Sequence, residues 1–226
     1  MKKIGIILGG DVPSVLTDKH GDYASMLIEK TEIHRQAQCV TYDATLGELP
    51  QDLSSYDAFL IGGSPSGVND GLSWVEGLAE FVRRAQREMK RVAGICFGHQ
   101  VIHYALGGKV ARNAHGWLLG NYTTQHLDSG ESLALIAMHQ DQVIEAAEGF
   151  EVYASADCCP NYCTGYGDQF LTVQGHPEFS AAFFDDFLDV RKGRFNPDLF
   201  NRAKASIHMS NDAREVLAKM RAFLLS

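Results

Sequence analysis

Val92-Ala93-Gly94-Ile95-Cys96-Phe97-Gly98-His99-Gln100 is an apolar run that enters a cysteine set between two glycines, with helix-forming residues after it. A fold presents a nucleophile in this way. A strand turns sharply into a helix, and glycines two positions before and two after the apex, here Gly94 and Gly98, give the backbone room to turn. The turn places Cys96 at the head of a helix beginning near Phe97, where unpaired N–H groups and the helix dipole favour an anion. Thiolate is thereby favoured over thiol.

A nucleophilic cysteine needs a base, and one stands 80 residues later in Val173-Gln174-Gly175-His176-Pro177-Glu178-Phe179. Pro177 biases His176 toward an extended backbone, so the side chains at 176 and 178 point the same way. The Glu178 carboxylate then accepts the Nδ1 proton of His176, fixes its tautomer and leaves Nε2 toward Cys96. Cys96, His176 and Glu178 are the expected catalytic triad.

The pair G-I-C-F-G-H-Q (94–100) and Q-G-H-P-E (174–178) resembles the class I, or triad-type, glutamine amidotransferases, which release ammonia from the side-chain amide of glutamine. Leu60-Ile61-Gly62-Gly63-Ser64 is similar to that family's glycine loop, with Ser64 where the family has proline and Pro65 one position later. Met138-His139-Gln140-Asp141-Gln142-Val143 is similar to its H-x-D-x-V segment. The four segments follow in the family's order. The resemblance implies that the backbone N–H of Gly63 joins that of Phe97 in an oxyanion hole. It also implies that Gln100, His139, Gln140 and Asp141 meet the substrate, and that neither metal nor cofactor takes part.

Composition agrees with a small soluble substrate. The chain has 226 residues, 45% hydrophobic and 21% charged, and no Pro/Gly/Ser-rich linker or charge block divides it. One domain over 1–226 is expected, with the motifs inside 4–190 and a helical extension over 191–226. A net charge of −8 argues against nucleic acid or an anionic membrane surface as partner. No stretch approaches the ~18 apolar residues a membrane helix requires. The apolar run after Met1-Lys2-Lys3 is too short for a signal peptide and reads as a buried first strand. The five cysteines, 39, 96, 158, 159 and 163, lack the paired C-x2-C spacing of a zinc site. Reduced thiols in a cytoplasmic protein are expected.

Strands are expected at 4–8, 38–42, 58–61, 91–95, 109–111, 119–124, 133–138, 151–155 and 170–174, with helices between several of them. Trp74, Leu78, Phe81, Val82, Ala85 and Met89 follow helical spacing, so 73–90 is an expected amphipathic helix. The pattern predicts an α/β fold: a mostly parallel central sheet flanked by helices, flavodoxin-like as the resemblance also implies, with an antiparallel excursion around 109–138. Residues 180–192 and 212–225 read as helices, and Asn196-Pro197 as a loop or helix start. Arg191-Lys192-Gly193-Arg194 reads as a solvated turn. His99 is expected to bond locally on the new helix, and His103 and His115 to be structural or exposed.

The expected activity is release of ammonia from glutamine through a cysteinyl γ-glutamyl thioester. No second catalytic domain or P-loop motif is present, so any synthesis from that ammonia requires a separate synthase subunit. The stretch 63–70 followed by Trp74 is similar to stand-alone members related to the amidotransferase part of GMP synthase. Some of these resemble γ-glutamyl peptidases, which makes cleavage of a glutathione-like substrate the alternative. A silent binding protein is a third reading, disfavoured because Cys96, His176 and Glu178 are all present.

Overall fold

A computed structural model describes all residues, 1–226. The chain begins β1 (Lys2–Leu8), α1 (Ser14–His20), α2 (Tyr23–Thr31), β2 (Ala37–Asp43), β3 (Ala58–Ile61), α3 (Ser73–Arg87), β4 (Arg91–Ile95) and α4 (Phe97–Ala105). It continues β5 (Lys109–Arg112), β6 (Leu118–His126), β7 (Ser132–His139), β8 (Asp141–Glu145), β9 (Glu151–Ala156), β10 (Cys159–Tyr166) and β11 (Phe170–Val173). Three helices end it: α5 (Ala181–Arg191), α6 (Pro197–Ser206) and α7 (Ala213–Leu225).

The main sheet runs β2-β1-β3-β4-β11-β10-β9-β6-β7. Its first five strands are parallel, and the last four extend it antiparallel. Strands buried on both faces supply two cores by simple alternation. Ile7, Phe59, Ile61 and Val92 face α3 and α4, whereas Ile4, Ile6, Leu60, Ala93 and Ile95 face the side of α7. On α3, Val75, Leu78, Ala79, Phe81, Val82 and Ala85 are buried. On α7 the buried stripe is Leu217, Met220 and Leu224. A third cluster joins α1, α5 and α6 through Leu16, Phe183, Phe187 and Phe200.

The antiparallel part is larger than the excursion expected at 109–138. β9 and β10 continue the sheet, while β5 and β8 pair apart from it. β10 carries Pro160 and several polar residues and so lacks an apolar period, yet it lies between β9 and β11 and is almost wholly buried. Two of its polar side chains are bonded inside: Asn161 Nδ2 donates to the Val143 carbonyl at 3.0 Å, and the Thr164 and Thr172 hydroxyls meet at 2.6 Å, while the Tyr162 hydroxyl is buried without a partner. Met89 also departs from the expected helical stripe. α3 stops at Arg87, and Met89 takes a left-handed φ of 53° and is exposed. The parallel strands β1, β3, β4 and β11 bring their carboxyl ends together, the usual location of a site in an open α/β sheet.

Candidate functional site

Cys96 forms the turn between β4 and α4 with φ 53° and ψ −101°, a conformation L-residues avoid. Strain of about 1–3 kcal/mol persists only where the surroundings enforce it. Here the glycines do so by close approach. A Cβ on Gly98 would lie 2.2 Å from the Ile61 carbonyl oxygen, and one on Gly94 would lie 2.6 Å from the Gly98 carbonyl carbon. Hydrogen bonds pin the same turn: Cys96 N–H donates to the Val173 carbonyl at 2.8 Å and Gly98 N–H to the Gly62 carbonyl at 3.1 Å. Cys96 is the N-cap of α4, whose first seven residues are all buried.

His176 follows β11, and its backbone N–H is held by the Ile136 carbonyl of β7 at 2.8 Å. Its Nδ1 lies 2.7 Å from Glu178 Oε1, and both side chains are buried. Glu178 Oε2 is buried without a partner. The imidazole stacks on Phe179 with centroids 4.1 Å apart and planes within 6°. Burial alone would lower the His176 pKa. Negative charge on Cys96 and Glu178, together with hydrogen bonds to both, outweighs burial and raises it to about 10. Gly63 borders both groups: a Cβ there would lie 3.0 Å from His176 Cε1 and 3.9 Å from Cys96 Cβ. No backbone carbonyl accepts the Gly63 N–H.

The other thiols differ. Burial pushes up Cys39, Cys159 and Cys163, the last to about 12, which keeps them protonated. Cys158 is spent on the Tyr122 hydroxyl.

Two clefts meet at Cys96. A polar one of about 230 Å³ is lined by Phe97, Gln100, His139, Gln140 and Asp141 of the expected site. A narrower aromatic one of about 80 Å³ is lined by Gly63, His176 and Glu178. Ser64, Pro65, Trp117, Met138 and Arg194 border both.

In the polar cleft Gln100 Nε2 donates to the Asp141 carbonyl at 2.7 Å and to Gln174 Oε1 at 3.2 Å. Both amide hydrogens of Gln100 therefore brace the frame. Gln174 Nε2 in turn reaches Cys96 Sγ at 3.6 Å. His139 donates from Nδ1 to the Asp141 carbonyl at 3.1 Å, and burial lowers its pKa to about 3, so the ring is neutral. The Gln140 carbonyl accepts from Asn113 N–H at 2.7 Å. Burial raises the Asp141 carboxyl, Arg112 opposes that, and Asp70 adds to it. Two carboxylates thus stand together, and Asp70 Oδ2 also accepts the Gly67 N–H at 2.7 Å.

Sequence reading passed over Asp70, Arg112, Trp117, Gln174, Arg191 and Arg194, all of which line or brace these clefts. Asp70, Gln174, Arg191 and Arg194 lay inside quoted segments but were given no part in the site. His99 does not bond locally as expected: its Nδ1 meets the Thr172 hydroxyl of β11 at 2.7 Å, because α4 lies flat on the sheet. His103 is buried against Thr164, and His115 is exposed.

Comparison with known proteins bears on the family and the fold. A family model described as "Glutamine amidotransferase class-I" matches residues 15–188. Gamma-glutamyl peptidase 3 of Arabidopsis thaliana is 30% identical over 191 residues, covering 77% of each chain. A glutamine-hydrolyzing GMP synthase subunit of Halobacterium salinarum is 25% identical over 78% of this chain and 97% of its own. The crystal structure of a glutamine amido transferase from Methylobacillus flagellatus superposes with a TM-score of 0.78 at 16% identity, covering 100% of this chain and 94% of the other.

Proposed function

Since the chain belongs to the class I glutamine amidotransferase family, we propose that it hydrolyses γ-glutamyl amides through a thioester on Cys96. The observation that carries this is the strained Cys96 at the head of α4 beside a buried His176 whose Nδ1 is engaged by Glu178 at 2.7 Å. Cys96 Sγ attacks the substrate Cδ, the Cδ–N bond breaks, and the thiol proton passes through His176 Nε2 to the departing nitrogen. Gly63 and Phe97 N–H groups receive the oxyanion, where one such donor is worth about 10²–10³ in rate. Water then cleaves the thioester to glutamate. Asp70 and Asp141 suit the substrate's α-ammonium and Arg112 its α-carboxylate. Gln100 acts through Asp141 and Gln174 as a positioning residue.

Glutamine and a γ-glutamyl peptide are the two substrates this chemistry serves. The peptide is favoured by the cleft beside His176, which continues beyond the point where ammonia would leave, and by the relative named gamma-glutamyl peptidase 3. The Halobacterium salinarum relative, named for GMP synthase, favours instead an ammonia supply to a separate synthase. Measuring glutamate release from glutamine and from γ-glutamylcysteinylglycine, with Cys96→Ala as control, tests the proposal. Partner-free turnover of the peptide, absent in the variant, is expected. Release that persists in Cys96→Ala would sink the thioester.

A further inference from the structure

The turn Arg191-Lys192-Gly193-Arg194, which reads in sequence as solvated, lies against the site. Arg191 lines the aromatic cleft alone, and Arg194 borders both clefts. Neither guanidinium is in an ion pair, although thirteen other pairings brace this protein. Arg191 lies over the Phe187 ring at 4.6 Å, and its Nε is buried with no partner. Burial disfavours Arg191's charge, and the like charge of Arg194 adds to that. The only carboxylate lining the aromatic cleft is Glu178, already engaged by His176. Two unpaired cations in a partly dry cleft are stabilised by an incoming anion.

His176 indicates which part of a substrate enters there. It lines the aromatic cleft and not the polar one, and it is the group that hands a proton to the leaving nitrogen. The leaving group therefore departs along the aromatic cleft. The polar cleft has its own cation, Arg112, for the α-carboxylate of the γ-glutamyl half. Building on the γ-glutamyl hydrolase reading above, we propose that Arg191 and Arg194 are specificity-determining residues that receive a carboxylate carried by the leaving amine. The preferred substrate is then a γ-glutamyl amide of an amino acid or short peptide with a free C-terminus. The narrowness of the cleft fits a slender peptide tail.

The test compares γ-glutamylcysteinylglycine with its C-terminal amide, two probes of nearly equal volume that differ in one charge. Wild-type protein is expected to favour the acid by tenfold or more in kcat/KM. Arg194→Ala, at an exposed position, is expected to bring the acid-to-amide ratio toward one, and Arg191→Lys to keep more of it than Arg191→Met. Equal turnover of acid and amide by the wild type overturns the inference without any variant and leaves the hydrolase reading standing. A fall in Arg194→Ala that is equal for both probes also overturns it, since that arginine would then serve the γ-glutamyl half. Turnover of neither probe while glutamine is still hydrolysed overturns the inference and leaves the hydrolase reading standing; turnover of neither probe nor glutamine removes both.

Discussion

On one side of Cys96 the wall carries Asp70, Asp141 and Arg112 among backbone carbonyls and amides; on the other it carries Tyr23, Phe179 and Phe187 with Arg191 and Arg194. The first set holds both signs of charge and fits the zwitterionic end of an amino acid. The second is aromatic with unpaired positive charge, and there His176 stacks on Phe179. In the proposed reaction one nucleophile thus stands between a cleft that would recognise what becomes the acyl group and a cleft that would handle what leaves. Substitutions that touch one wall should be separable from those that touch the other.

Cys96→Ala removes what the clefts share, so release from every γ-glutamyl substrate should fall to background while circular dichroism stays unchanged. A glutamine-like electrophile should label Cys96 in preference to Cys39, Cys159 and Cys163, whose thiols burial holds protonated. Mass mapping of the adduct checks this, and even labelling across the cysteines would mean that the elbow does not activate its thiol.

His176→Ala should cost about 10³-fold, within the range for a positioned general acid–base. The comparison sharpens here. A group on the leaving side should matter most for strongly basic leaving amines and least for an activated anilide, and a loss independent of leaving group would place His176 elsewhere in the reaction. Glu178→Gln keeps a hydrogen bond but loses its charge, an expected cost of roughly tenfold. It also has a pH signature. Glu178 helps raise His176 to about 10, so the imidazolium persists until pH rises through that value. Removing the charge lowers this limit, and the basic limb of kcat/KM should move to lower pH.

Asp141→Asn tests the opposite wall. Losing one charged partner of an ammonium is expected to raise KM about tenfold. The increase should be the same for glutamine and for γ-glutamyl peptides, because the acyl half is common to them. An increase confined to the peptide would mean that the polar cleft reads the leaving group.

The contrast between the walls also explains what could be read from sequence. Gly94 and Cys96 in one turn, and His176 with Glu178, act largely on neighbours within a few positions, so spacing carries much of their meaning. The five parallel strands were legible for the same reason, being short apolar runs between turns. Arg191 and Arg194 reach the site only because α5 folds back over Phe179 and α1, a tertiary event that leaves no period in the chain. Their local pattern is that of an exposed basic turn. β10 was hidden differently: a central strand whose polar side chains bond to neighbouring elements has no apolar alternation. Asp70 and Asp141 lie 71 positions apart, and sequence gives no sign that they share a cleft.

The smallest expected effect comes from the floor beneath both walls. His99 of α4 rests on Thr172, Thr172 on Thr164, and Thr164 on His103, with contacts of 2.7, 2.6 and 2.8 Å. Burial keeps His99 and His103 neutral, His103 down to about 4. Thr172→Val removes the central hydroxyl at nearly constant volume and leaves His99 Nδ1 without its hydrogen-bond partner in a buried site. About 1–3 kcal/mol of stability should be lost, the cost of an unsatisfied buried polar group, measurable as a fall in urea midpoint with m unchanged. Acid should deepen the loss. In the unfolded chain these histidines bind protons below about pH 6.5, whereas folded His103 does so only near 4, so stability falls as pH drops through that interval. Because the chain of contacts supports α4 as a whole, kcat/KM should change by the same small factor for acid and amide leaving groups. A change in their ratio would mean that the floor, rather than the arginine-bearing wall, sets the choice of leaving group.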